Sequence, residues 1–272
     1  QLGPLGLGAD SWRLLDGQWL YDSAYDPRAA WANFYRGDPK SPENERTYQK
    51  LQNGLGQPRA LLEQISRTVG AKASSYYAVL MFDGDNMGDW LTGRHDKQPK
   101  LGEIHGSLPA ELHGVKRPLG PAMQGELSQR VSSLALELYK IVEEHHLGRV
   151  VFSGGDDFLA FLPLATVLPC LQAMRDKARS DEYMGDRFTL SAGISIHHMR
   201  NPLREALRHA RDAEKVAKRK KDGFAIKLAL RSGGESVLTL PFEMEPQDEP
   251  KIPVIPNLLA LLRWTGEDDK AD

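Results

Sequence analysis

Two spacings of apolar residues alternate along the chain from residue 76 onward. "YYAVLMF" (76–82) is a continuous apolar run of strand length, the pattern of a strand buried on both faces. "ELSQRVSSLALELYKIVEEHH" (126–146) places Leu127, Val131, Leu134, Leu138, Ile141 and Val142 at helical spacing, and Gly148 ends it. "RVVFS" and "FLAFLPL" then flank residues 154–157 as two antiparallel strands. "ATVLPCLQAMRDKARS" (165–180) predicts a helix in its second part, after Pro169. "RFTLSAGISIHH" (187–198) reads as a strand. "PLREALRHARDAEKVAKRKK" (202–221) opens with proline and puts Leu203, Ala206, Leu207, Ala210, Ala213 and Ala217 on one face. Gly223 ends that helix, and "FAIKLAL" (224–230) is a further strand.

The order predicts an α+β, ferredoxin-like unit: β-α-β-β-α-β with an added helix and strand. Such a unit carries an antiparallel sheet with helices on one face. The sequence divides into an irregular and helical segment over 1–70, a core domain over 71–234 and a tail over 235–272. In the first, "QPRALLEQISRTV" (57–69) predicts a short helix, with Leu61, Leu62, Ile65 and Val69 on one side. "RGDPKSPENE" (36–45) reads as an exposed loop, and Trp12, Trp19 and Trp31 lie among Gly, Pro and Asp. Residues 93–125 carry Gly, Pro, His and Lys without period and read as a long surface insertion. The tail reads as mostly loop, with one apolar segment near "NLLALLRW".

Composition narrows the class without naming it. The chain has 272 residues, a net charge of −2, 40% hydrophobic and 26% charged residues, as a globular domain with appendages would have. Near-neutral charge argues against a protein that coats nucleic acid. Cys170 is the one cysteine, so neither an internal disulfide nor a cysteine zinc site can form, and a cytoplasmic setting follows. No run reaches the length of a membrane span. Gln1 in place of Met points to a processed chain or to a portion of a longer one.

The chemistry concentrates where the first strand and the hairpin end. "DGDNMG" (83–88) closes the first strand, and "GGDD" (154–157) forms the hairpin tip. In the predicted topology these ends are neighbours, so Asp83, Asp156 and Asp157 converge, with Asp85 nearby. Crowded carboxylates repel one another, and a divalent cation removes that repulsion. Magnesium takes one or two carboxylates and fills its shell with phosphate and water. Gly154 and Gly155 allow a tight turn and leave room for a nucleotide against the backbone. A helix starting near Met87 would turn free N–H groups toward phosphate. Taken alone, GGDD also fits a hairpin turn with solvated aspartates. Arg204, Arg208, Arg211, Lys215, Lys218 and Arg219 recur along the last helix, as a solvated face would. His197, His198 and His209 read as structural. "RHD" (94–96) has the letters of a metal-nuclease pair but sits in a loop without further ligands.

"YYAVLMFDGDNMGDWL" (76–91), "GRVVFSGGDDFLAFLPL" (148–164) and "LSAGISIHHMRNPLREALRHARDAEKVAKRKKDGFAIKLALRSGG" (190–234) together resemble the catalytic palm domain of the large subunit of type III CRISPR–Cas effector complexes. The likeness is greatest to the Cmr (type III-B) branch. The third stretch also resembles the end of a GGDEF nucleotidyl cyclase, with Ala217–Lys218 and Gly223 at the matching places. The resemblance implies a palm that joins ATP into cyclic oligoadenylate messengers, using Mg2+ or Mn2+ and a two-metal mechanism. It implies that Asp83, Asp156 and Asp157 are catalytic metal ligands. Gly84, Asp85, Gly154 and Gly155 would border the nucleotide, and Lys218 would hold its terminal phosphates. The implied partners are other subunits of a type III complex, guide and target RNA held by that complex, and a second palm domain; no membrane is implied. Only one palm, no zinc cysteines and a short stub after 234 are present, so the chain resembles a portion of such a subunit. A diguanylate-type cyclase, a template-dependent polymerase palm and a non-catalytic RNA-binding scaffold stand as alternatives.

Overall fold

A computed structural model describes residues 22–69, 74–154, 156–230, 233–246 and 250–268. The chain divides into two compact units, Gln1–Ser75 and Tyr76–Asp272.

The described part of the first unit is more helical than its sequence suggests. After a single 3-10 turn at Asp22–Tyr25 come α1 (Pro27–Phe34), α2 (Glu45–Gly54) and α3 (Gly56–Val69). Only α3 was legible as a helix. Helix α1 starts because Asp26 caps it, accepting from the Arg28 and Ala29 N–H groups at 2.8 and 3.3 Å, with Pro27 in the first turn. Trp31 is buried against Tyr35 and Tyr48, and its indole N–H donates to the Gly37 carbonyl at 2.9 Å. Residues 36–43 between α1 and α2 are loop, as expected. Trp12 and Trp19 lie outside the described residues.

The second unit is built on a six-stranded sheet. Its strands are β1 (Tyr76–Gly84), β2 (Arg149–Gly154), β3 (Asp157–Leu162), β4 (Leu190–His198), β5 (Gly223–Ala229) and β6 (Glu235–Pro241). Their order is β2-β3-β1-β4-β5-β6. The first four follow the predicted ferredoxin-like order, antiparallel throughout. Strand β5 runs parallel to β4, which requires a crossover, and the helix Leu203–Lys218 supplies it.

Helices cover both faces of this sheet, not one. Ala78, Leu80 and Phe82 of β1 share a core with Leu134 and Leu138 of the helix Pro121–Lys140, and with Leu171 and Met174 of the helix Leu164–Ala178. Val79 packs with Ala206 and Ala210 of the helix Leu203–Lys218 on the opposite face, beside Tyr77 and Met81. The added crossover helix therefore explains why the 76–82 run is apolar at every position. It lies so close that a Cβ on Gly193 of β4 would come within 2.2 Å of the Ala210 carbonyl oxygen and the Glu214 nitrogen. With α4 (Met87–Thr92), α5 (Leu101–Ile104) and α6 (Ala110–His113), the three long helices are α7 (Pro121–Lys140), α8 (Leu164–Ala178) and α9 (Leu203–Lys218).

Several expected elements differ. The 93–125 segment is partly ordered: α5 and α6, a Lys100–Lys116 bridge and buried His95 and Gln98 fix it. Helix α7 begins at Pro121, whose ring presets the first helical turn. Helix α8 runs through Pro169, its sixth residue, forgoing one intrahelical bond. Buried Val167, Leu168, Cys170, Leu171 and Met174 offset that loss. The tail is not mostly loop: β6 forms the sheet edge, β7 (Glu243–Met244) pairs with β8 (Ile252–Pro253), and α10 (Val254–Asp268) follows. Strand β6 escaped notice because it is half-covered at best and shows no inward face. No described helix is long and apolar enough to cross a membrane.

Candidate active site

The site forms where β1 ends beside the β2–β3 hairpin. Asp83 pairs in register with Asp157 across the β1–β3 ladder. Directly opposed residues project to the same face, so these two carboxylates lie side by side. The hairpin tip is tied to β1 by the Gly84 N–H, which donates to the Asp156 carbonyl at 3.1 Å. A side chain at Gly84 would strike Met87 at 2.9 Å and the Phe188 ring at 3.2 Å, so glycine permits this approach. A bulge between Val150 and Phe152 shifts the register of β2 and sets Phe152 opposite Leu159. Phe152 then lines a cleft of about 340 Å³ with Asp83, Asp157, Met81, Arg211 and Glu214.

Lys218, the last residue of α9, reaches across to pair with Asp83. It also stands 3.8 Å from Glu214, one turn earlier on the same helix. Burial pulls the Lys218 ammonium below its ordinary value. Burial, and then the neighbouring Asp157, pushes Glu214 above its ordinary value. Asp83, Asp157 and Glu214 oppose Lys218 and Arg211 here, so negative charge is in excess. Glu214 and Arg211 were not singled out as site residues from sequence. The only signal for Glu214 was its place four residues before Lys218.

Asp156 precedes Asp157 at the hairpin tip, its carbonyl held by the Gly84 N–H. It lines a second cleft, of about 530 Å³, with Gly154, Met87, Leu91, Ser128 and Ser132. This cleft lies between α4 and α7. Among the described residues, no group of three or more His, Cys, Asp and Glu side chains is placed to hold a metal ion. At this one strand end Asp83 and Asp157 line one cleft and Asp156 lines the other.

Asp85 is buried behind the clefts. Its two oxygens accept from the Ser191 hydroxyl at 2.7 Å and the Asp222 N–H at 3.0 Å. It thus joins the end of β1 to β4 and to the turn before β5. Asp222 in turn receives the buried Arg175 guanidinium at 3.1–3.3 Å, and Arg175 also reaches Glu243 at 3.1 Å. Asn86, in the left-handed region at φ 57°, accepts from Lys221 at 2.8 Å. Gly155 lies outside the described residues.

The donor set suits magnesium. Two adjacent carboxylates are the number it commonly takes from protein while phosphate and water complete its shell. Asp83, Asp157 and Glu214 outnumber Lys218 and Arg211 around this cleft, an excess of negative charge that a cation would relieve. Asp83 and Asp157 are the residues that would hold it.

Comparison with known proteins agrees with the fold and the motifs. The chain is 32% identical over 184 residues to the CRISPR system Cmr subunit Cmr2 of Pyrococcus furiosus, covering 62% of this chain and 20% of that protein. The chain thus spans about a fifth of that relative's length. In fold it is similar to a chain of the type III-B Cmr-beta complex in its apo state, with a TM-score of 0.52 at 16% identity over 78% of this chain and 31% of the other. The same complex bound to cognate target RNA gives a TM-score of 0.50 at 15% identity, over 83% and 32%. Residues 76–225, from the start of β1 into β5, match the family described as Cas10/Cmr2, second palm domain, and the chain belongs to that family.

Proposed function

We propose that this palm is the nucleotide-binding half of a magnesium-dependent nucleotidyltransferase that condenses ATP into cyclic oligoadenylates within a cytoplasmic type III RNA-guided complex. The observation that carries the reading is the Asp83–Asp157 pair with Lys218 beside it at the end of a buried strand. Asp83 and Asp157 hold the metal, which when bound stabilises charge on the transferring phosphoryl group. Lys218 then exchanges its Asp83 contact for the terminal phosphates, acting as a point charge. The cleft bearing Asp156, Gly154 and the Ser128 and Ser132 side takes the nucleoside, with Met87 and Leu91 as its apolar wall. Asp85 positions the β1 end without touching substrate. The acceptor ribose hydroxyl gives up its proton and bonds to the α-phosphorus of the donor, and pyrophosphate leaves. A second palm orients that acceptor, and other subunits with guide and target RNA gate the reaction.

The test is product analysis. The chain, together with the rest of its subunit, is incubated with each ribonucleotide and magnesium, with and without target RNA. Cyclic oligoadenylates from ATP support the reading. A dinucleotide from GTP, template-directed chains, or no product under any of these conditions would each contradict it.

A further inference from the structure

A groove of about 920 Å³ runs along α9. One wall carries Arg204, Arg208, Arg211 and Lys215. The apolar remainder is Leu203 and Leu207 of the same helix with Met81 and Leu159 of the sheet. Glu205 and Asp212 also line it, so cations outnumber carboxylates four to two. The four cations recur at helical steps of four, three and four residues, which sets them in one row about 16 Å long.

Like charges one turn apart on a helix repel. Other exposed arginines of this unit are each met by a carboxylate: Arg130 by Glu126 at 2.8 Å, Arg149 by Glu143 at 2.7 Å and Arg187 by Glu103 at 3.2 Å. Among the described residues, the ion pairs of α9 belong to His209 and Lys218, and none engages the row. The groove also continues past the helix. Met81, Leu159 and Arg211 line the cleft of Asp83 and Asp157 as well, where the Phe152 ring is 53% exposed. The cationic row thus opens into the proposed reaction site.

We propose that this groove holds a short single strand of linear oligoribonucleotide running out of the reaction cleft, its phosphates on Arg204, Arg208, Arg211 and Lys215 and its bases against Leu203, Leu207, Met81 and Leu159. The inference rests on the proposed reaction for the source of the strand. A charged row beside an apolar floor suits a chain that carries phosphates on one side and base faces on the other. A strand is selected over a mononucleotide because the phosphates of one nucleotide are held together and cannot span the row. A short strand is selected over a long one because the row has four cations and no more. Continuity with the cleft of Asp83 and Asp157 selects a nucleotide chain over an acidic protein segment.

The probes are linear 5′-phosphorylated oligoadenylates of two, four and eight nucleotides, titrated into the whole chain by calorimetry over a range of salt, without ATP or magnesium. The four-nucleotide strand should bind at least about tenfold more tightly than the two-nucleotide strand, since it brings two further phosphates to the row. Eight nucleotides should gain no more than about fivefold over four, the statistical gain of extra registers on a site already filled. Log affinity of the four-nucleotide strand should fall with log salt at a slope near −3, about −0.7 for each of four phosphates. Arg204→Gln with Lys215→Gln, at two exposed positions, should cost that strand at least about tenfold and halve the slope. ATP–magnesium affinity of the same variant, titrated in parallel, should change by no more than about threefold. Equal affinity for two and four nucleotides, a gain well above fivefold at eight, binding that survives the double substitution in protein with an unchanged circular dichroism spectrum, or no heat with millimolar strand would each overturn the proposal. The length series on wild-type protein decides the matter even if the variant fails to fold. The strand titrations contain neither ATP nor metal, so their failure is distinct from a failure to make product from ATP.

Discussion

Asp83 and Asp157 stand opposite each other across the β1–β3 ladder, and Lys218 from α9 closes on Asp83 from the far side. Three separate stretches of sequence thus meet at one strand end. Asp156 lines the neighbouring cleft. Asp83→Asn or Asp157→Asn should weaken magnesium binding at least about tenfold, each removing one of two charged ligands. Asp156→Asn should affect magnesium less and nucleotide affinity more. Equal losses of metal affinity in all three variants would show that the carboxylates act as one cluster. The double variant Asp156→Asn with Asp157→Asn should keep its circular dichroism spectrum, because repulsion falls when no metal is present.

Lys218 and Lys215 lie on the same helix but face different surroundings. Lys215 lines a groove with Arg204, Arg208 and Arg211, while Lys218 sits on Asp83. Lys218→Ala should therefore weaken ATP–magnesium binding by an order of magnitude or more, and Lys215→Ala by no more than two- to threefold. Isothermal titration of both variants checks this. Identical losses would reduce Lys218 to one member of a basic stripe.

Much of this fold can be read from periodicity, and the parts that cannot have physical reasons. Strand β1 and helix α9 announced themselves because each repeats one burial pattern over its whole length. The placement of α9 on the second face was hidden in Gly193, where the sequence shows only a small residue in a strand. Helix α1 escaped because it is only eight residues long, and α2 because polar and charged residues fill it and it buries no residue. In the site, the motifs located Asp83, Asp157 and Lys218. Glu214, Ser191 and Asp222 could not be found, since each acts through a partner distant in sequence, or through burial that no local pattern encodes.

The closeness of α9 to β4 has a measurable cost. Gly193→Ala would force backbone apart, because the new methyl meets the Ala210 carbonyl and the Glu214 nitrogen, neither of which can rotate away. Overpacking of this kind costs about 1–3 kcal/mol. A lowered thermal midpoint is expected, together with weaker nucleotide binding, since α9 carries Lys218. An unchanged midpoint would mean that α9 is free to shift outward.

A buried histidine pair between α9 and β4 should make the domain acid-sensitive. His209 Nδ1 lies 3.1 Å from His197 Nε2, and its other ring nitrogen is 3.2 Å from Glu235. Burial lowers His197, with His209 adding to the effect; burial lowers His209, with Lys227 and Arg208 adding and Glu235 and Asp212 opposing. Folded-state values below the unfolded value of about 6.5 mean that the unfolded chain binds protons first as pH falls. Stability should be full above pH ~6.5 and decline below it, toward the lowered values of the folded state. His209→Gln should flatten that decline in denaturant titrations run across this range. A slope unchanged by the substitution would assign the acid sensitivity to other groups.

On the proposed reading, one palm binds the donor nucleotide through magnesium and relies on a second palm for the acceptor. Preorganisation of two reactants can be worth about 10⁵–10⁸ M in effective concentration, and a lone palm forgoes it. The direct measurement is ATP binding and oligoadenylate formation by dilute, demonstrably monomeric chain, with and without magnesium, and again after adding the remainder of the subunit. The monomer should bind ATP in a magnesium-dependent way with little turnover, and the added part should restore turnover. Rapid synthesis by the monomer alone, or ATP binding indifferent to magnesium, would contradict it.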